Sequence, residues 1–119
     1  MAQAAIRDEK GVKKAVRKLL ETYGWFSWMP PAGAWGVSGQ SDICCVKHGQ
    51  FMAIETKFGY NKPSPQQHMF LTNIYDAGGF ALMVNEKNIY ALDVFLLEFN
   101  AGNTAGATAA MKELMTWMG

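Results

Sequence analysis

Two carboxylates and one ammonium are the residues of this sequence best placed to do chemistry. They lie in Gly39-Gln40-Ser41-Asp42-Ile43 and in Ala53-Ile54-Glu55-Thr56-Lys57. Glu55 closes an apolar run, Phe51-Met52-Ala53-Ile54, where an acid needs a reason. Glu55 and Lys57 are two apart and share a face of a strand, with Ile54 and Thr56 on the other. If Asp42 starts one strand of a hairpin and Glu55 ends the next, the two acids converge. Unpaired carboxylates repel, and one tends to keep its proton. A divalent cation removes the conflict, since Mg²⁺ is held by one or two carboxylates with waters and phosphate oxygens. It would lower the pKa of a bound water and stabilise phosphoryl charge. Lys57 would then orient the water or offset charge on the phosphate. Alone, Glu-x-Lys is ordinary strand decoration; the apolar setting of Glu55 and the helix that follows it distinguish this case.

That helix begins Ser64-Pro65-Gln66-Gln67-His68-Met69-Phe70. Gln67 shares the sheet-facing stripe with Phe70 and Ile74. Its amide could reach a metal-bound water or a phosphate. Equally, Ser64 and Gln67 form a capping box, in which the glutamine bonds back to the N-cap amide. The sequence leaves both roles open.

The elements that must position these groups follow from periodicity. Asp8 to Tyr23 is an amphipathic helix with Val12, Val16, Leu19, Leu20 and Tyr23 on one stripe, stopped by Gly24. A short strand, Trp25 to Met29, ends at Pro30-Pro31. A glycine-rich loop leads to Ser41. Asp42 to Lys47 and Gln50 to Lys57 form a hairpin about His48-Gly49. Ser64 caps a helix to about Ala77, with Pro65 at its first position. Phe80 to Val84 is a buried strand and Ile89 to Leu92 reads as another. Asp93 would cap a short helix through Phe99, and Thr104 a last one through Met118. The order predicts an α/β fold with a mixed sheet and helices packed on it.

The length of 119 residues fits one domain over 1–119, with a core at about 9–92 and a C-terminal helical addition at about 93–119. Net charge is only +1, so any hold on nucleic acid must be local. No apolar run reaches the ~20 residues of a membrane span, and the N-terminus lacks an apolar signal core. A cytoplasmic protein is expected. Cys44 and Cys45 are adjacent, which strains a mutual disulfide, and read as reduced thiols. A zinc site with His48 and His68 lacks paired ligand spacing.

The pattern of Gly39, Asp42-Ile43, Gly49, Phe51, Ala53-Ile54-Glu55-Thr56-Lys57, Ser64-Pro65, Gln67, Phe70 and Gly78-Gly79 resembles the VRR-NUC branch of the PD-(D/E)XK nucleases. It covers roughly Glu9 to Val84. The resemblance implies a restriction-endonuclease-like αβββαβ core and a Mg²⁺- or Mn²⁺-dependent phosphodiesterase acting on DNA. It implies Asp42 and Glu55 as metal ligands, the Thr56 carbonyl as a further one, Lys57 as catalytic lysine and Gln67 as supporting glutamine. Stand-alone members are similar to Holliday junction resolvases, are often encoded by phages and bacteria, and tend to be homodimers. Where the family has proline before the first aspartate, this chain has Ser41. Such families often place a glutamate of the first helix near the metal, and Glu9 is the candidate.

For holding DNA, Lys10, Lys13, Lys14, Arg17 and Lys18 form a strip about two turns long on the first helix. Trp35 and Ser38 lie in the glycine-rich loop, where Trp35 could stack on a base. Lys47, Tyr60, Asn61 and Lys62 are expected to flank the site. Trp25 and Trp28 are expected in the core, and Met111, Leu114, Met115 and Met118 form a stripe for the core or a dimer contact. The alternative reading is a non-catalytic DNA-binding or scaffold module on the same fold.

Overall fold

Asp8 stops the chain in an extended conformation and accepts a bond from the Gly11 amide at 2.8 Å, which caps the first helix, α1 (Glu9–Thr22). The computed structural model describes residues 5–31, 33 and 36–119. Val12, Val16 and Leu20 of α1 are fully buried, as their spacing requires. Three strands follow: β1 (Phe26–Trp28), β2 (Ile43–Lys47) and β3 (Gln50–Thr56). His48 and Gly49 both have positive φ, at 50° and 78°, the conformation a two-residue hairpin needs between β2 and β3. Then come α2 (Pro65–Asp76), β4 (Phe80–Val84), α3 (Ile89–Asn100), α4 (Thr104–Leu114) and a 3₁₀ turn at Thr116–Met118.

The sheet order is β1-β2-β3-β4, antiparallel except for the parallel β3–β4 pair. The molecule is α/β, a four-stranded mixed sheet flanked by helices. One core joins Val12, Val16 and Leu20 to Ile43, Met52, Ile54 and Leu82 of the sheet and to Phe95, Leu96 and Leu114 of α3 and α4. The smaller core on the other face holds Leu71, Ala81, Met83 and Trp117.

The C-terminal third departs from the sequence expectations. Ile89 to Leu92 is not a strand but the start of α3, because Ala91, Leu92, Phe95 and Leu96 form a continuous buried helical stripe. The boundary at 92/93 therefore falls inside α3. Asp93 is not a cap; its carboxylate takes the Tyr23 hydroxyl. Asn103, not Thr104, caps α4 by accepting from the Gly106 amide, and α4 ends at Leu114. Leu114 is fully buried, with Met111 and Met115 packed on the core, so the methionine stripe completes the interior and leaves Met118 half exposed. Trp117 Nε1 donates to the Ala81 carbonyl at 2.8 Å. The Asn88 amide donates to the carbonyls of Met83 and Glu113, at 2.9 and 3.0 Å. Among the described residues no helix is long and apolar enough to cross a membrane.

Candidate active site

The β2–β3 ladder runs from Lys47↔Gln50 to Ile43↔Ile54. Asp42 comes one residue before the last ladder pair, Ile43↔Ile54, and Glu55 one residue after it, so the hairpin brings the two acids together, close enough for Asp42 to act on the Glu55 carboxyl. Ser41, the residue before Asp42, is buried, and its hydroxyl donates to the Ile43 carbonyl at 3.2 Å. That bond fixes the entry to the strand without a proline ring. Gly39 sits still closer to the helix beyond: its φ is +69°, and a β-carbon there would lie 2.4 Å from the Gln66 carbonyl carbon and oxygen. Only glycine lets the loop rest against the first turn of α2.

Asp42 is held by its neighbour across the hairpin. Its Oδ2 accepts from the Thr56 amide at 2.9 Å and from Thr56 Oγ1 at 2.7 Å. Its Oδ1 lies 3.7 Å from Lys13 Nζ of α1. Thr56 thus enters the site through its amide and hydroxyl, a role that strand alternation hid, since alternation assigns its side chain to the opposite face.

Glu55 is 1% exposed. Its Oε1 accepts from Gln67 Nε2 at 2.9 Å and lies 3.6 Å from Lys57 Nζ. Its Oε2 is buried and, among the described residues, receives no N–H or O–H donor. Burial first, then the charge of Asp42 and a bond shared with it, push the Glu55 carboxyl up to about 8, while Lys57 pulls the other way. The expected conflict between the acids is therefore present, and it falls on Glu55. Gln67 closes the capping box and also reaches the acid: its Oε1 accepts from the Ser64 amide at 2.8 Å, its backbone amide donates to Ser64 Oγ at 3.2 Å, and its Nε2 donates to Glu55.

Lys57 is fixed by its backbone. Its amide donates to the Val84 carbonyl at 3.0 Å, extending the β3–β4 pairing past Thr56. Just beyond, Glu86 accepts the Gly59 amide with both carboxylate oxygens, at 2.8 and 3.0 Å. No local signal announced this clamp, because its partners are 27 residues apart.

The remaining candidates divide. Lys13 meets Asp42, and Arg17 and Lys14 follow it along α1. Lys62 and Asn61 are exposed on the loop joining β3 to α2, and Ser38 is exposed just before Gly39. Tyr60 is 90% exposed with Lys87 Nζ over its ring. Trp35 lies outside the described residues. Lys47 is misassigned to the site: it ends β2 at the other end from Asp42 and donates to the Tyr23 carbonyl and to Asn100 Oδ1, at 2.6 and 2.7 Å. Trp25 is buried against Phe99, but Trp28 is 38% exposed and not core. It lies on the edge strand, whereas α2 covers β3 and β4. Glu9 opens α1 half-buried, and its place in the first turn complements the helix dipole. Cys44 and Cys45 are free and buried, and burial raises both thiols.

The donor set can be matched to an ion. Glu55 Oε2 receives no donor among the described residues, Asp42 beside it is partly open, and both offer hard oxygen. Two carboxylates suit Mg²⁺ or Mn²⁺, which complete their shells with water and phosphate oxygens. No family model matches the chain, and no curated protein matches it.

Proposed function

We propose that this chain is a Mg²⁺-dependent DNA endonuclease of the VRR-NUC, restriction-endonuclease-like kind, acting on branched or nicked DNA. The observation that carries the reading is the placement of Asp42 beside a buried Glu55 whose second oxygen receives no donor among the described residues, with Lys57 and Gln67 on the first. A buried acid near the end of a central strand is costly unless used, and its surroundings suit the chemistry expected of Asp42, Glu55 and Lys57.

Asp42 and Glu55 would hold Mg²⁺, with Mn²⁺ able to substitute and the Thr56 carbonyl as a further ligand. When bound, the ion would supply charge stabilisation for phosphodiester hydrolysis. The chain's own residues do the rest. Thr56 fixes one Asp42 oxygen, and Lys13 stands beside the other. Gln67 fixes the Glu55 carboxyl from α2. Lys57 presents its ammonium beside Glu55, where it offsets charge on the scissile phosphate or orients the attacking water. Lys13, Lys14 and Arg17 of α1, with Ser38, Trp35 and Lys62, would contact the DNA. Such an enzyme works in the cytoplasm, that of a host if a phage encodes it. A homodimer is part of the proposal, and exposed Tyr90, Val94 and Leu97 on one side of α3 support it.

The test is a cleavage panel of branched, nicked, single-stranded and linear DNA with Mg²⁺, Mn²⁺ or EDTA, on a sample whose mass is measured. Metal-dependent cutting by the wild type, abolished in Asp42→Asn, Glu55→Ala and Lys57→Ala variants that remain folded, is the expected result. DNA binding with no cutting under any metal would identify a non-catalytic module instead.

A further inference from the structure

A groove runs between α1 and the edge strand β1. Lys10, Lys13, Lys14, Arg17 and Lys18 line one wall, and Trp25, Phe26, Ser27 and Met29 belong to the other. Glu21 is its one acid. In a chain of net charge +1, this concentrates positive charge on one feature. Lys13 also touches Asp42, so the groove is joined to the acidic pair.

Two further observations point to a ligand. Arg17 lines the groove half-buried, and among the described residues its Nε has no hydrogen-bond partner; such donors are normally paired, and a phosphate oxygen in the groove would supply the acceptor. Beside the groove, Phe26 is 69% and Trp28 38% exposed, with ring centroids 5.6 Å apart, and Trp28 lies 6.3 Å from Phe51. Phe26 belongs both to this row of rings and to the groove lining.

We propose that the groove and the Phe26–Trp28 row together bind an unpaired polynucleotide strand, its phosphates on α1 and its bases on the rings. Aromatic faces stack on bases only when the bases are free of a duplex, and cations beside such rings are the usual design for single strands. A duplex would engage the cations alone. This names the substrate class of the acidic site and rests on the nuclease reading for its purpose, but it is measured by binding alone.

The experiment uses the full chain in EDTA, so that nothing is cut. A fluorescein-labelled oligo-dT strand and a duplex of equal length are titrated by anisotropy, and tryptophan quenching is followed in parallel. The single strand should bind about tenfold more tightly than the duplex. Phe26→Ala and Trp28→Ala should bring that ratio close to one. Lys14→Ala with Lys18→Ala should weaken both and flatten the salt dependence. Phe26 is too exposed for its loss to unfold the chain, and a melting curve confirms this for each variant. Equal affinity for duplex and single strand, or aromatic variants that keep the wild-type ratio, overturns the proposal. So does binding to vesicles of anionic phosphatidylglycerol without binding to either DNA. Metal-dependent cutting of duplex DNA that survives such a failure leaves the nuclease reading standing. Oligo-dT binding by a chain that cuts nothing leaves the groove standing and removes the nuclease.

Discussion

Gln67 donates its side-chain amide to Glu55 Oε1 at 2.9 Å while the carbonyl of the same side chain accepts the Ser64 amide at 2.8 Å. One glutamine therefore closes the start of α2 and steadies the buried acid. Gln67→Ala removes both functions and should cost about 1 kcal/mol of stability through the cap, with a tenfold or greater loss of cleavage. Gln67→Glu keeps a residue able to close the capping box but sets a third carboxylate beside Glu55. It should melt near the wild-type temperature and still cut poorly. Melting curves and single-turnover cleavage on the two variants separate the roles; equal activity in Gln67→Glu and wild type would remove Gln67 from the chemistry.

The Glu55 carboxyl, raised from 4.5 to about 8, makes the ion-free protein sensitive to pH. Between those values the folded state keeps a proton that the unfolded chain gives up. Stability is therefore greatest below pH 4.5 with respect to this group and declines as pH rises toward 8, by on the order of a few kcal/mol. Urea melts in EDTA at pH 5 and pH 8 should show the decline, and Glu55→Gln should flatten it. Binding of Mg²⁺ at pH 7 should release about one proton, measured by calorimetry in buffers of different ionisation heat. No release in the wild type would mean that Glu55 is not a ligand.

Thr56 offers a test of how Asp42 is aimed. Thr56→Val keeps the volume and the backbone amide but deletes the hydroxyl that donates to Asp42 Oδ2 at 2.7 Å. Loss of a bond to a charged acceptor costs about 1.5–3 kcal/mol. Weaker Mg²⁺ binding and a lower melting temperature should follow together, while Thr56→Ser restores both in part. A valine variant that binds Mg²⁺ as the wild type does would show the hydroxyl to be dispensable.

At Gly39 the prediction is steric. Gly39→Ala places a methyl 2.4 Å from the backbone of Gln66 and 2.7 Å from the Gln67 amide. Backbone cannot yield as a flexible side chain does, so the loop must lift away from α2. Cleavage should drop by at least tenfold and melting should fall, whereas Gly33→Ala, whose added methyl meets nothing within 4 Å among the described residues, should be far milder. If both alanines behave alike, the packing of Gly39 against α2 has no bearing on the site.

Local pattern carried the centre of this molecule and missed its margins. The hairpin, the helix cap at Ser64 and the convergence of positions 42, 55, 57 and 67 rest on spacing, turn residues and strand alternation, all of which act over short stretches. Ile89 to Leu92 misled because four apolar residues suit a strand as well as a buried helix, and only packing against α4 decides between them. Trp28 misled for the opposite reason: its type favours burial, but its place on the edge strand denies it a cover. Lys47 and Glu86 form bonds across 24 and 27 residues, which no local window contains.

Met83 is the ladder partner of Glu55 on the parallel side, and its carbonyl is tied through Asn88 to Glu113, near the end of α4. Two strand positions earlier, Ala81 is pinned by the indole of Trp117. The final helices bear none of the reactive groups, yet they brace the strand against which the buried acid is aligned. Trimming the tail would therefore loosen the floor under position 55 before it removed any group that touches DNA.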